Sequence, residues 1–134
     1  MNWTHFLIAL IGSGIVMSLT DWFFFGIFFH DKYHAHPEVW RGKPGQPETR
    51  NIIIVTLLGF VTAAVFLIMY THSHAHGFTH AFGFAFHIWL MVALPLIISN
   101  ALYIKFHPLL VVSHSLGWLA KLTVVAIAAA WLLP

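Results

Sequence analysis

Histidine is the residue type with the widest chemical scope in this sequence, because its eleven imidazoles outnumber the six lysines and arginines. Four of them lie close together and are called the outer histidines, for the side of the membrane assigned below: His72, His74, His76 and His80. On a helix, His72, His76 and His80 would share one face, whereas in an extended segment His72, His74 and His76 would share one side. Either geometry could present imidazoles to Zn²⁺, Cu²⁺ or Ni²⁺. No Asp or Glu lies near them as a general base, so a hydrolytic zinc site is not predicted.

A second group combines histidine with a carboxylate: His30, Asp31 and His34. His30 and His34 are four residues apart and, with Asp31, could bind a metal if a helix continues through them. For both groups the competing hypothesis is that histidine serves as an interfacial residue, largely neutral at pH 7. A haem is disfavoured, because His87 and His114 lie at depths too different to ligate one iron. The sequence therefore predicts no resident cofactor and leaves Zn²⁺, Cu²⁺ or Ni²⁺ at the outer histidines as candidate metals.

The composition determines which elements must position these residues. Hydrophobic residues make up 60% of the chain and charged residues 7%, whereas a soluble domain is about a quarter charged. So few charges cannot cover a water-exposed globule, which predicts a membrane protein with the lipid bilayer as its solvent. The net charge of +2 is not concentrated in any basic stretch, which excludes a nucleic-acid partner. The absence of cysteine excludes disulfides and thiolate metal sites.

Four apolar runs are long enough to cross a bilayer, which takes about 20 helical residues. They are residues 3–29, 51–70, 78–104 and 109–133. Continuous apolar character over this length favours helices over barrel strands. The sequence therefore predicts an all-α polytopic membrane protein, 1–134, in which four transmembrane helices form one antiparallel bundle. Residues 30–50 form a polar loop, with a short interfacial helix predicted at 37–41.

The basic residues beside the predicted spans indicate the orientation. All of them lie in the first and third connections: Lys32, Arg41, Lys43, Arg50 and Lys105. The second connection and the termini hold none. By the positive-inside rule, the loop 30–50 is cytoplasmic, and both termini and the outer histidines face outside. The predicted location is the bacterial cytoplasmic (inner) membrane.

Two charged residues fall inside the predicted spans, Asp21 in the first and Lys121 in the fourth. Each costs about 2.5–3.5 kcal/mol at the bilayer centre, and counting along the helices puts them roughly 12 and 18 Å from the inner boundary. They could therefore meet, which predicts that the first helix packs on the fourth. Asn100 and His114, roughly 6–8 Å deep, could join Asp21 in a polar cluster. The alternatives are a proton or ion path, a structural ion pair with interhelical hydrogen bonds, or charges that reach the headgroups separately.

Several motifs carry a family resemblance. They are DWFFFG at 21–26, His30 and Asp31 followed by PEVWR at 37–41, and Lys105, His107 and Pro108 followed by SHSLGW at 113–118. In these motifs the chain resembles a bacterial family of small integral-membrane proteins, the domain of unknown function 1761 family. The resemblance spans nearly the whole chain and implies a four-helix membrane protein, but it implies no catalytic residue. The outer histidines are not part of the pattern.

Three functions are compatible with these features. The leading hypothesis is a non-enzymatic membrane protein that acts by association, as a homo-oligomer or as an accessory subunit of a membrane complex. It follows from the lack of a nucleophile-and-base constellation and of a phosphate-binding loop, and no catalytic residue is predicted. The alternatives are a small transporter or channel with a polar path around Asp21 and Lys121, and a metal-binding membrane protein that uses the outer histidines.

Overall fold

The computed structural model describes residues 2–31, 35, 49–74 and 76–133. Five α-helices and two π-helical segments make up most of these residues. The helices are α1 (Trp3–Asp21), α2 (Thr49–His72), α3 (Phe78–Ile88), α4 (Leu94–Tyr103) and α5 (Pro108–Leu132), and the π-helical segments are Trp22–Phe28 and Trp89–Ala93. Within the described residues, these elements form four spans long and apolar enough to cross a membrane: Trp3–Phe28, Thr49–His72, Phe78–Tyr103 and Pro108–Leu132. The prediction of an all-α chain with four membrane-length helices is confirmed, whereas the interfacial helix predicted at 37–41 lies outside the described residues.

Side chains cap the first turns of α1 and α5, the two helices that carry Asp21 and Lys121. The Asn2 carboxamide oxygen accepts hydrogen bonds from the backbone N–H groups of Thr4 (3.0 Å) and His5 (3.3 Å), which satisfies donors left open at the start of α1. At the start of α5, the Nδ1 atom of His107 accepts from the backbone N–H of Leu109 at 3.2 Å. Pro108 takes the first helical position, where its missing N–H costs nothing. Because α5 runs without a break from Pro108, its polar residues lie inside the span.

Helix α5 is the centre of the bundle, since it packs against α1, α2, α3 and α4, while α1 also packs against α2. Its buried face is rich in small residues, which let neighbouring helices approach closely. The buried residues of α5 are Ser113, Ser115, Gly117, Lys121, Leu122, Val125, Ala126 and Ala129. Leu122, Val125, Ala126 and Ala129 belong to a core shared with Met17 of α1 and with Leu67 and Tyr70 of α2.

The connection between α2 and α3 is called the histidine turn, residues 73–77. The buried Tyr70 anchors it at both ends: the Tyr70 backbone oxygen accepts from the Ser73 hydroxyl at 2.7 Å, and the Tyr70 hydroxyl donates to the Gly77 carbonyl at 3.4 Å. The turn reverses through two left-handed residues, His74 with φ 52° and Gly77 with φ 87°.

Burial is uneven along the third span. Its first helix, α3, buries Ala81 and Ala85, whereas its last helix, α4, buries no residue. Between them lies the π-helical segment Trp89–Ala93, which ends next to Pro95. Proline cannot donate to a carbonyl of the preceding turn, which accounts for a widened turn at this point.

Candidate functional site

The two charged residues of the spans form an ion pair between the first and last helices. Asp21 is the final residue of α1, and Lys121 lies on the buried face of α5. The Lys121 ammonium nitrogen lies 2.9 Å from Oδ1 of Asp21 and donates a hydrogen bond to Oδ2 at 3.2 Å. The side chains are only 14% (Asp21) and 10% (Lys121) exposed. Each charge is therefore neutralised by the other, away from the surface of the protein.

Aromatic rings contact Lys121 and the nearby His114. The Lys121 ammonium lies 4.4 Å from the centroid of the Trp118 ring, one helical turn earlier on α5, in a cation–π contact. A second ring, Phe25 of the π-helical segment 22–28, lies against the imidazole of His114 with the ring centroids 4.8 Å apart and the ring planes tilted by 40°. Phe25 and Trp118 belong to the motifs DWFFFG and SHSLGW, but no contact with the charged or histidine side chains was predicted for either. The three-residue spacing of Trp118 and Lys121, which places both on one helix face, is the signal that could have identified the contact of Trp118.

His114 brings a third ionisable group to the same interior. It is partly buried on α5 and lies within electrostatic reach of both Asp21 and Lys121. The three side chains are called the Asp21–Lys121–His114 cluster. They place an ion pair and an imidazole in one part of the interior.

Asn100 does not join this cluster. It is exposed on α4, next to the exposed Ser99, on a helix that has no buried residue. Counting residues gives its depth correctly only as long as the helix is regular. The turn of Trp89–Ala93 is closed by i→i+5 bonds, and it therefore rotates all later residues about the helix axis relative to an unbroken α-helix.

One further interhelical bond holds the third span on α5. The indole N–H of Trp89 donates to the backbone carbonyl of Ser115 at 2.8 Å. Trp89 is the first residue of the π-helical segment, so the bond fixes the point at which the span departs from regular geometry. In a membrane such bonds fasten helices whose side chains gain little from hydrophobic burial.

The outer histidines are distributed over three elements, and all four are exposed. His72 ends α2, where its Nδ1 lies 2.8 Å from the carbonyl oxygen of Ile68. His74 and His76 belong to the histidine turn, and His80 lies in the first turn of α3. Because α2 ends at His72, neither the single helix face nor the extended segment of the sequence analysis is formed. In the described residues, no three His, Asp or Glu side chains come together as a metal-binding group.

The inner group is described only in part. His30 and Asp31 are both exposed, just beyond the end of the first span. His34 lies outside the described residues, so the predicted set of three ligands remains a prediction. Comparison of the chain with protein-family models, curated proteins and solved structures returns no match.

Proposed function

We propose that this chain is a non-enzymatic protein of the bacterial inner membrane that acts by association with other membrane-embedded helices. The observation that carries the proposal is Asn100, an exposed amide on a membrane-spanning helix that buries none of its residues. Lipid tails offer an amide no hydrogen-bond partner, so a side chain of this kind is stabilised when another helix covers it. The proposal includes membership in the domain of unknown function 1761 family and the orientation with both termini outside.

A second copy of the chain is the partner that Asn100 suits best. A carboxamide carries both donors and an acceptor, so two copies of the residue facing each other across a two-fold axis satisfy each other. An accessory role in a larger complex requires the same exposed face, with a polar side chain of another subunit in place of the second copy.

Cysteine crosslinking tests this proposal cleanly, because the chain has no cysteine of its own. We expect Asn100→Cys to form dimers on mild oxidation in native membranes. Val61→Cys, on an exposed face of α2, is the matched control and should stay monomeric. Native mass spectrometry of gently extracted protein then separates a homo-oligomer from a complex with other subunits. A monodisperse monomer without any partner, together with equal crosslinking at both positions, would refute association through α4.

Proton or ion movement through the bundle is a second candidate, favoured by the Asp21–Lys121–His114 cluster. Three ionisable side chains together inside a membrane bundle are costly and are typical of proton relays and ion pathways. Proteoliposomes loaded with a pH-sensitive dye test it. Proton flux should fall in Asp21→Asn and Lys121→Met but not in Asp31→Asn, whose carboxylate is exposed. Equal proton flux in the unmodified protein and in the three variants would exclude this function.

A further inference from the structure

A groove of about 270 Å³ opens at the end of the bundle that carries the histidine turn. It is lined by two imidazoles, two hydroxyls and an aromatic ring from α3 and the histidine turn: Ser73, Thr79, His80, Gly83, Phe84 and His87. The α3 residues 80, 83, 84 and 87 recur at helical spacing, so they form one face of the helix. The groove therefore presents polar groups at fixed positions along one face of a membrane-spanning helix.

The two imidazoles of the groove lie far apart along this helix. α3 runs as an α-helix from Phe78 to Ile88, and a separation of seven residues, from His80 to His87, corresponds to a rise of about 10.5 Å. Side chains that are seven residues apart on a helix lean in the same direction, so the spacing of the two rings is similar to this rise. One small ion cannot contact both rings over such a distance. The groove instead suits an elongated ligand that carries a polar group at each end.

The space between the two histidines has an open floor and an apolar wall. Gly83 provides the floor, because a Cβ atom built at this position would meet no atom within 4 Å. Phe84 provides the wall, and its ring packs edge-to-face on the buried Phe66 of α2 with the ring centroids 5.3 Å apart. A flat aromatic ring suits a space of this kind, because it can pack on the phenylalanine ring.

Hydrogen bonding determines what the His87 end of the groove can bind. Nδ1 of His87 lies 2.6 Å from the backbone carbonyl oxygen of Gly83. A carbonyl can only accept, so Nδ1 carries the proton, and the neutral ring keeps its lone pair on Nε2. His87 can therefore accept a hydrogen bond from a ligand hydroxyl but has no N–H left for a ligand carbonyl. At the opposite end, His80 and the Thr79 hydroxyl can each donate or accept.

We propose that this groove binds the ring of a membrane-soluble para-hydroquinone, an aromatic ring with hydroxyl groups at opposite positions. Such a ring, with a hydrogen bond of about 2.8 Å at each end, spans about 11 Å between the two nitrogens that bind it, which matches the spacing of the imidazoles. One hydroxyl donates to Nε2 of His87, the other is bound by His80, and the ring packs on Phe84. The oxidised quinone carries only acceptors, so it lacks the donor that His87 requires.

The test is isothermal titration of a para-hydroquinone with a decyl tail into the full-length protein in detergent, without oxygen. We expect saturable binding of one molecule per chain. His80→Ala and His87→Ala should each weaken this binding by about 2- to 12-fold, which corresponds to the loss of one hydrogen bond. His72→Ala is the matched control: it removes an exposed imidazole of the same end of the bundle, also hydrogen-bonded to a carbonyl, that does not line the groove. The affinity of this variant should equal that of the unmodified protein.

Two analogues of the probe test the spacing and the donors separately. The ortho isomer has the same tail, but its two hydroxyls are adjacent, so it cannot reach from His80 to His87. The dimethyl ether of the para compound keeps the length but has no hydrogen to donate to His87. Both should bind more weakly than the para-hydroquinone by about 2- to 12-fold or more, since each loses at least one hydrogen bond.

Gly83→Leu provides a variant that keeps every imidazole. The leucine side chain fills the floor of the groove from a position where nothing obstructs its Cβ, and leucine favours a helix more than glycine does. Circular dichroism should therefore be unchanged while binding of the para-hydroquinone is lost. Equal affinity for the para-hydroquinone and either analogue, unchanged affinity in Gly83→Leu, or the absence of saturable binding would overturn the proposal without affecting the association tested at Asn100.

Discussion

The ion pair of Asp21 and Lys121 allows a quantitative prediction about the stability of the bundle. Removing one partner of a buried pair leaves an uncompensated charge, at a cost of about 3–5 kcal/mol. Lys121→Met leaves the Asp21 carboxylate without its counter-ion, so the full cost is expected. Asp21→Asn leaves the ammonium over the Trp118 ring at 4.4 Å, a contact that returns about 0.5–2 kcal/mol. The expected loss of unfolding free energy is therefore about 1–4.5 kcal/mol for Asp21→Asn and about 3–5 kcal/mol for Lys121→Met.

The double variant separates the pair from its surroundings. Asp21→Asn with Lys121→Met contains no buried charge, so its stability should lie within about 1 kcal/mol of the unmodified protein, as when buried ion pairs are replaced by neutral side chains. The double-mutant cycle should then give a coupling of at least about 3 kcal/mol, at or above the upper end of the range for residues in contact.

The measurement is equilibrium unfolding by sodium dodecyl sulfate in mixed micelles, followed by circular dichroism. Asp31→Asn and Lys105→Met are the matched controls, because both of these charged residues are exposed, and each should change stability by no more than about 0.5 kcal/mol. If the two single changes at the pair add without coupling, or cost no more than the controls, the ion pair does not hold α1 on α5, and this reasoning is refuted.

Three further predictions concern contacts elsewhere in the bundle, each measured by the same unfolding assay. Asn2→Ala should cost about 1 kcal/mol by removing the cap of α1, while Asn2→Asp should keep it; equal losses in both variants would contradict the capping role. Trp89→Phe should lower the free energy of unfolding by about 0.6–1.7 kcal/mol, because it removes the hydrogen bond to the Ser115 carbonyl. An unfolding midpoint equal to that of the unmodified protein would show that the bond contributes nothing. Gly14→Val should cost about 1–3 kcal/mol because its side chain would overlap the Phe60 ring, whereas Gly12→Val, with open space around it, should not.

Composition and apolar length were sufficient to predict the four membrane-length helices, because spanning a bilayer fixes both the length and the polarity of a segment. Depth counting allowed Asp21 and Lys121 to meet but left open that each charge reaches the headgroups separately, because the count runs through the π-helical segment Trp22–Phe28 and because the start of α5 was not certain; the ion pair itself is seen only in the structure. The same count could not place Asn100, because the direction in which a residue points depends on the helical phase, and the π-helical segment Trp89–Ala93 changes that phase.

The outer histidines are divided between elements by the end of α2 at His72, a helix boundary that the apolar periodicity of the sequence does not reveal. The helix that ends at His72 and the helix that begins at Phe78 are separated by a short turn with left-handed residues, which divides the outer histidines between elements.

The distance along the chain between Asp21 and Lys121 also bears on how the protein is made. The two residues are 100 positions apart, so at synthesis rates of about 5–20 residues per second the aspartate waits about 5–20 s for its partner. During that interval Asp21 has no Lys121 ammonium to pair with. Synthesis of α5 then brings this ammonium to 2.9 Å from the Asp21 carboxylate. The contact between α1 and α5 can therefore close only after α5 has been made.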